Sequence, residues 1–154
     1  MKRFFLLMFI AVLGLTTVDA QVSTYYDVSV LPDTSKTFLK EHFSAKVSSI
    51  KVNENRQDQE RYKVFLNDET MVRFLSLGRW KEITAEAPVS VPLTVLPQGA
   101  ADYLNTHHKG VRIKRAMNFD RGPYDRRAHY IVYLEDGTGL VFKRNGRLDH
   151  YIND

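Results

Sequence analysis

Hydrophobic positions along this chain change their spacing in a set order. Leu31, Phe38, Leu39, His42 and Phe43 fall near one stripe at helical spacing, and Leu96, Ala100, Tyr103, Leu104 and His107 form another. Pro32 and Pro97 open these segments, where a proline suits the first helical turn because its missing N–H would have no intrahelical acceptor. After each helix the period drops to two. Tyr62, Val64 and Leu66 alternate with Lys63, Phe65 and Asn67, so the predicted strand has two unlike faces. The turns "NDET" and "EDGT" follow, and the alternation then resumes at Val72 and Phe74 and at Leu140 and Phe142. Asp136-Gly137 and Asn145-Gly146 are two-residue hairpin signals, since both central residues tolerate positive φ. Leu77-Gly78 is weaker and predicts a longer turn with Gly78 as its left-handed residue.

The two halves of the chain match each other. Leu31-Pro32, Phe38-Leu39 and His42 correspond to Leu96-Pro97, Tyr103-Leu104 and His107. Tyr62, Val64, Leu66, Asp68, Thr70, Phe74, Gly78 and Arg79 correspond to Tyr130, Val132, Leu134, Asp136, Thr138, Phe142, Gly146 and Arg147. Opening strands are predicted at "KVSSIKV" from Lys46 and "GVRIKRAM" from Gly110, and closing strands at "RWKEIT" from Arg79 and "RLDHYI" from Arg147. The predicted fold class is α+β: a tandem repeat of two units, each a helix followed by a four-stranded antiparallel meander sheet. Residues 21–84 form the first unit and residues 94–154 the second, joined by the linker 85–93 with Pro88 and Pro92. A unit of roughly 60 residues buries only about 60% of its unfolded surface, so the two are expected to pack together or to extend one sheet into the other.

The run of a Leu-Pro pair, a short helix, then Y-x-V-x-L-x-D-x-T, V-x-F and G-R-W spans Leu31 to Trp80 and is largely repeated to Leu148. It resembles the exported PepSY-like, beta-lactamase-inhibitor-like family common in Bacteroidetes, over essentially everything after residue 20. The resemblance implies a fold similar to the two-domain beta-lactamase-inhibitory protein, and an exported binding protein rather than an enzyme. Inhibition of a beta-lactamase is not implied.

The first twenty residues read as a leader. Lys2 and Arg3 precede an apolar run from Phe4 to Leu15, and Val18-Asp19-Ala20 places small residues at a cleavage site. That run is shorter than the ~20 residues of a spanning helix, so no membrane span is expected in the mature chain. Export to the periplasm or beyond is the expected address, with residues 1–20 as signal peptide. The chain has no cysteine, which excludes disulfide staples and thiolate metal sites. Its net charge of +4 becomes +3 once Lys2, Arg3 and Asp19 are removed, too small a bias to imply nucleic acid.

Catalytic signatures are missing: there is no HExxH, no GxSxG and no phosphate-cradling glycine loop. No cofactor or metal is expected. His42 and His107 recur at the same point of each helix, as a polar cap on the inward stripe would. Asp68, Thr70, Asp136 and Thr138 sit in turns, where such side chains serve local geometry. They also motivate the alternative reading, a calcium- or small-ligand-responsive periplasmic sensor module. More informative is the strand face opposite the helices. Parity assigns Phe65, Met71, Arg73 and Leu75 to it from the first half, and Ile131, Tyr133, Val141 and Lys143 from the second, with Tyr151 added from the last strand. A solvated antiparallel face is ordinarily more polar than this. Aromatic, Met and Arg residues together match the centres of protein interfaces. The same composition would serve packing between the two units, or against the N-terminal segment "QVSTYYDVSV". The expected function is non-catalytic binding of a protein, peptide or envelope partner, with Phe65 and Tyr133 as anchors, Arg73 and Lys143 orienting the partner, and "KRAMNFDRGPYDRR" from Lys114 as a charged loop.

Overall fold

The computed structural model describes residues 21–55, 60–120 and 129–152. The predicted leader, and residues 121–127 of the charged loop, lie outside the described residues. The described residues form nine strands and two α-helices: β1 (Val22–Tyr25), α1 (Asp33–His42), β2 (Val47–Asn53), β3 (Glu60–Leu66), β4 (Met71–Leu75), β5 (Trp80–Thr84), α2 (Gln98–His107), β6 (Ile113–Asn118), β7 (His129–Leu134), β8 (Gly139–Lys143) and β9 (Leu148–Ile152). All nine strands lie in one antiparallel sheet whose strand order is the chain order.

This corrects the predicted fold class. The molecule is mostly β, a single nine-stranded sheet carrying two short helices, and not an α+β tandem repeat of helix-plus-four-strand units. β5 pairs with β6 through Glu82↔Met117, Ile83↔Ala116 and Thr84↔Arg115, so no boundary divides the sheet. Local signals such as a proline before a helix or an Asp-led turn say how a segment folds. They carry no information on whether two sheets share an edge. Separate edges at β5 and β6 would each expose a row of unpaired backbone groups, and joining them satisfies both. The N-terminal segment is corrected too: rather than lying across the face opposite the helices it adds β1 to the sheet edge, with Thr24↔Lys51 in register, while Tyr25 and Val30 pack against the core.

One transverse row of side chains organises the core. Ile50, Val64, Val72, Ile83, Ala116, Val132 and Leu140 follow one another from β2 to β8, and each is completely buried. Fully burying an aliphatic side chain of this size contributes about 1.5–3 kcal/mol before entropy. A second layer, Phe74 with Trp80 and Tyr130 with Phe142, receives the helices. Phe38 of α1 packs edge-on to Phe74 and stacks on Trp80, and Tyr103 of α2 meets Phe142 edge-on. Both helices therefore cover the same face.

Each helix begins one residue later than expected. Pro32 and Pro97 are the capping residues, and their carbonyls accept from the amides of Ser35 and Lys36 and of Ala100 and Ala101. Hairpin turns dock against these starts. The buried Ser35 donates its hydroxyl to the carbonyl of Gly78, and Gly146 lies so close to α2 that a Cβ there would stand 2.6 Å from the Ala100 amide nitrogen. Residues 85–93 are pinned to β6: the Arg112 guanidinium donates to the carbonyls of Ala85 and Val89, and Ile113 donates its N–H to Ser90 Oγ.

Candidate functional site

The face opposite the helices carries two further transverse rows. One runs Lys51, Lys63, Arg73, Glu82, Met117, Ile131, Val141 and His150 from β2 to β9. The other runs Ser49, Phe65, Met71, Thr84, Arg115, Tyr133, Gly139 and Ile152 over the same strands. Eight of the nine residues singled out from sequence lie on this face. Phe65 and Met71 are direct cross-strand neighbours, as are Ile131 and Val141. Arg73 stands beside Lys63, while Leu75 and Lys143 sit at the ends of their strands, opposite Glu60 and His129. Most are half-buried; Val141 is buried and Lys143 exposed. Tyr151 stands apart. It pairs with Leu140 on the helix side, and its hydroxyl lies 2.7 Å from that of Tyr103. That hydrogen bond is the main cause holding the Tyr103 hydroxyl above the usual tyrosine range.

Sequence parity missed Glu82, Arg115 and Met117, which fill the centre of the face. Glu82 is almost wholly buried there, between two arginines. Its Oε2 is 3.2 Å from Arg73 Nη1 and its Oε1 is 2.6 Å from Arg115 Nε. Arg73 Nη1 also reaches Glu60 at 3.1 Å. A carboxylate on a central strand with no solvent to stabilise it needs such partners. Cations also cap both aromatic anchors: Lys51 Nζ lies 5.5 Å from the Phe65 ring centre and the Arg115 guanidinium 5.9 Å from that of Tyr133. Phe65 and Tyr133 are four strands apart in one row, about 19 Å at roughly 4.8 Å per strand. The surface is thus extended, with an ionic centre and an aromatic on either side.

Other candidate chemistry is explained locally. Asp68 and Asp136 each accept from the backbone N–H two residues on, at Thr70 and Thr138, which closes their turns. That bond is the main reason the Asp136 carboxyl is held below its usual range. His42 meets Thr94 Oγ1 at 3.0 Å, and His107 stacks on Tyr103. Among the described residues no three or more His, Asp or Glu side chains gather as a metal would require. A cavity of about 350 Å3 lies between the 85–93 segment, the end of α2 and β6, with Leu93, Leu104, Val111 and Ile113 in its wall. No helix among the described residues is long and apolar enough to cross a membrane.

Comparison with known proteins agrees with the fold. No curated protein matches the chain. A crystal structure from Bacteroides vulgatus, described as a "putative periplasmic protein of unknown function", is 27% identical, with a TM-score of 0.68 over 86% of this chain and 100% of that one. A second, from Bacteroides thetaiotaomicron and described as a "putative calcium-regulated periplasmic protein", is 24% identical, with a TM-score of 0.70 over 86% of this chain and 97% of its own. The family described as "Putative beta-lactamase-inhibitor-like, PepSY-like" matches residues 60–150, from the first residue of β3 into β9. This chain belongs to that PepSY-like, beta-lactamase-inhibitor-like family.

Proposed function

We propose that this chain is an exported, non-catalytic binding protein that presents the helix-free face of its sheet to a protein, peptide or envelope partner. One observation carries the reading. Both helices cover one face, and the described residues leave the other uncovered, with Phe65, Met71, Met117, Ile131 and Tyr133 only half-buried upon it. A surface that combines aromatic, methionine and arginine side chains has the composition of an interface core. Export is supported by the leader-like residues 1–20 and by the periplasmic description of the Bacteroides vulgatus relative. Inhibition of a hydrolase is a narrower version, supported by the family's description alone.

The test is affinity for a partner isolated from envelope extract. Truncating an aromatic hot spot costs about 2 kcal/mol, so Phe65→Ala with Tyr133→Ala is expected to weaken binding by roughly thirtyfold or more. Unchanged affinity would overturn the assignment of the face. The calcium reading instead predicts a melting temperature that rises with calcium, because a ligand bound only to the native state stabilises it. Asp68 and Asp136, which motivated it, each already have one carboxylate oxygen engaged by a turn amide.

A further inference from the structure

The helix-free face changes character from one end to the other. At its β2–β4 end Lys51 and Lys63 stand directly opposite each other, and Lys63 is in turn opposite Arg73. With Arg61 and Glu60 these residues wall a groove of about 380 Å3. The two arginines are neutralised, Arg61 by Glu54 at 3.1 Å and Arg73 by Glu60 and Glu82. The two lysines are not. Among the described residues neither ammonium is paired with a carboxylate, and the Phe65 ring centre lies 5.5 Å from Lys51 Nζ. Like charges directly across an antiparallel ladder repel and destabilise the pair. The unpaired positive charge is therefore a local cost carried at one end of the face. Four strands further on, Met117, Ile131 and Tyr133 make the other end apolar.

The geometry points to a partner of defined chemistry. We propose that Lys51 and Lys63 form an anion-recognising subsite that takes the carboxylates of an acidic protein segment, whose apolar side chains lie on Met117, Ile131 and Tyr133. This rests on the reading of the face as a binding surface. Charge complementarity selects the occupant: carboxylates over the lysines supply the counter-charge that the sheet itself withholds, and they steer encounter as well as register. Among the described residues that row carries no free cation at its apolar end, which favours one orientation of the segment over its reverse.

The experiment uses the chain from residue 21 onward and two acetylated peptides, Glu-Asp-Glu-Gly-Phe-Leu-Phe and its Gln-Asn-Gln counterpart. Amide shifts and fluorescence anisotropy are read as each peptide is titrated. The acidic peptide is expected to shift the amides of Lys51, Lys63 and Arg73 and to bind about tenfold tighter than its neutral counterpart. Lys51→Glu with Lys63→Glu should abolish that tenfold difference, and so should about 0.5 M salt, where screening acts within roughly 4 Å. Equal affinity for the two peptides overturns the proposal. So does a saturable response to inorganic phosphate at the same amides without peptide preference, which makes it a small-anion site. Sedimentation with phosphatidylcholine vesicles containing roughly one-quarter phosphatidylglycerol, lost on charge reversal while the peptides do not bind, assigns the charge to a membrane surface and also overturns it. Phe65→Ala with Tyr133→Ala separates the two readings. If it weakens both peptides while charge reversal changes neither, the face stands and the lysine subsite falls; if neither variant matters, the face falls as well.

Discussion

Gly146 and Gly137 provide a controlled test of how the hairpins hold the helices. Both occupy left-handed backbone, at φ of 80° and 93°, in turns of the β7–β9 meander. A Cβ at Gly137 would meet nothing within 4 Å. At Gly146 it would stand 2.6 Å from the amide nitrogen of Ala100 and 2.9 Å from both Cα and N of Gly99, all backbone atoms of the α2 start. Gly137→Ala therefore carries only the left-handed penalty, about 1–2 kcal/mol. Gly146→Ala carries the same penalty and in addition an overpacking cost of about 1–3 kcal/mol, because backbone on both sides must separate. The gain from stiffening the unfolded chain is common to both and cancels in the comparison. In a domain of this size 1 kcal/mol corresponds to about 4 °C in Tm, so the expected losses are about 4–8 °C for Gly137→Ala and about 8–20 °C for Gly146→Ala. Calorimetry of the two variants side by side reads the difference directly. Equal losses would show that the turn does not bear on α2, and the account of helix docking would be wrong.

Three further outcomes follow from the same geometry. Glu82→Gln removes the carboxylate between Arg73 and Arg115 while keeping its shape; since the arginine side chains are 30% and 42% exposed, solvent limits the loss to about 1–2 kcal/mol, read by urea unfolding. Glu69 is held at a φ of 64°, so Glu69→Gly is expected to stabilise the β3–β4 turn by about 0.5–1 kcal/mol, and a lower Tm would contradict the strain. Burial, then the nearby Asp120 carboxylate, raises the Tyr130 hydroxyl above the usual tyrosine value of about 10. Its stabilisation is thus complete below that value and lost as pH rises through the folded one; Tyr130→Phe should flatten the alkaline limb of a stability–pH curve, and an unchanged limb would refute it.

The sequence was legible where the alternation was regular. β4, β7, β8 and β3 from Tyr62 onward keep period two, with Tyr62, Val64 and Leu66 inward and Lys63 and Phe65 outward, so parity assigns Phe65, Met71, Arg73, Ile131 and Tyr133 to the face opposite the helices. It failed where a bulge inserts a residue and inverts the faces. In β9 Leu148 and Tyr151, three apart, both point to the helix side, which is why Tyr151 was misplaced. Trp80 and Ile83 in β5 do the same, as do Ile113 and Ala116 in β6, and Glu82, Arg115 and Met117 were missed for that reason. The pairing of β5 with β6 had no local signal at all, because the residues involved are 31 to 35 positions apart in sequence. β1, only four residues long, is too short for its period to register.

A sheet whose strand order repeats its chain order also sets how the molecule can assemble. Its eight pairings all join strands consecutive in the chain, and among the described residues only β1 to β2 and β5 to β6 have an α-helix between them. Closing a loop costs entropy that grows just with the logarithm of its length, about 0.6 kcal/mol per doubling. Contacts within either hairpin set therefore close the shortest loops, whereas the central seam joins residues 31 to 35 positions apart, the longest closure in the sheet.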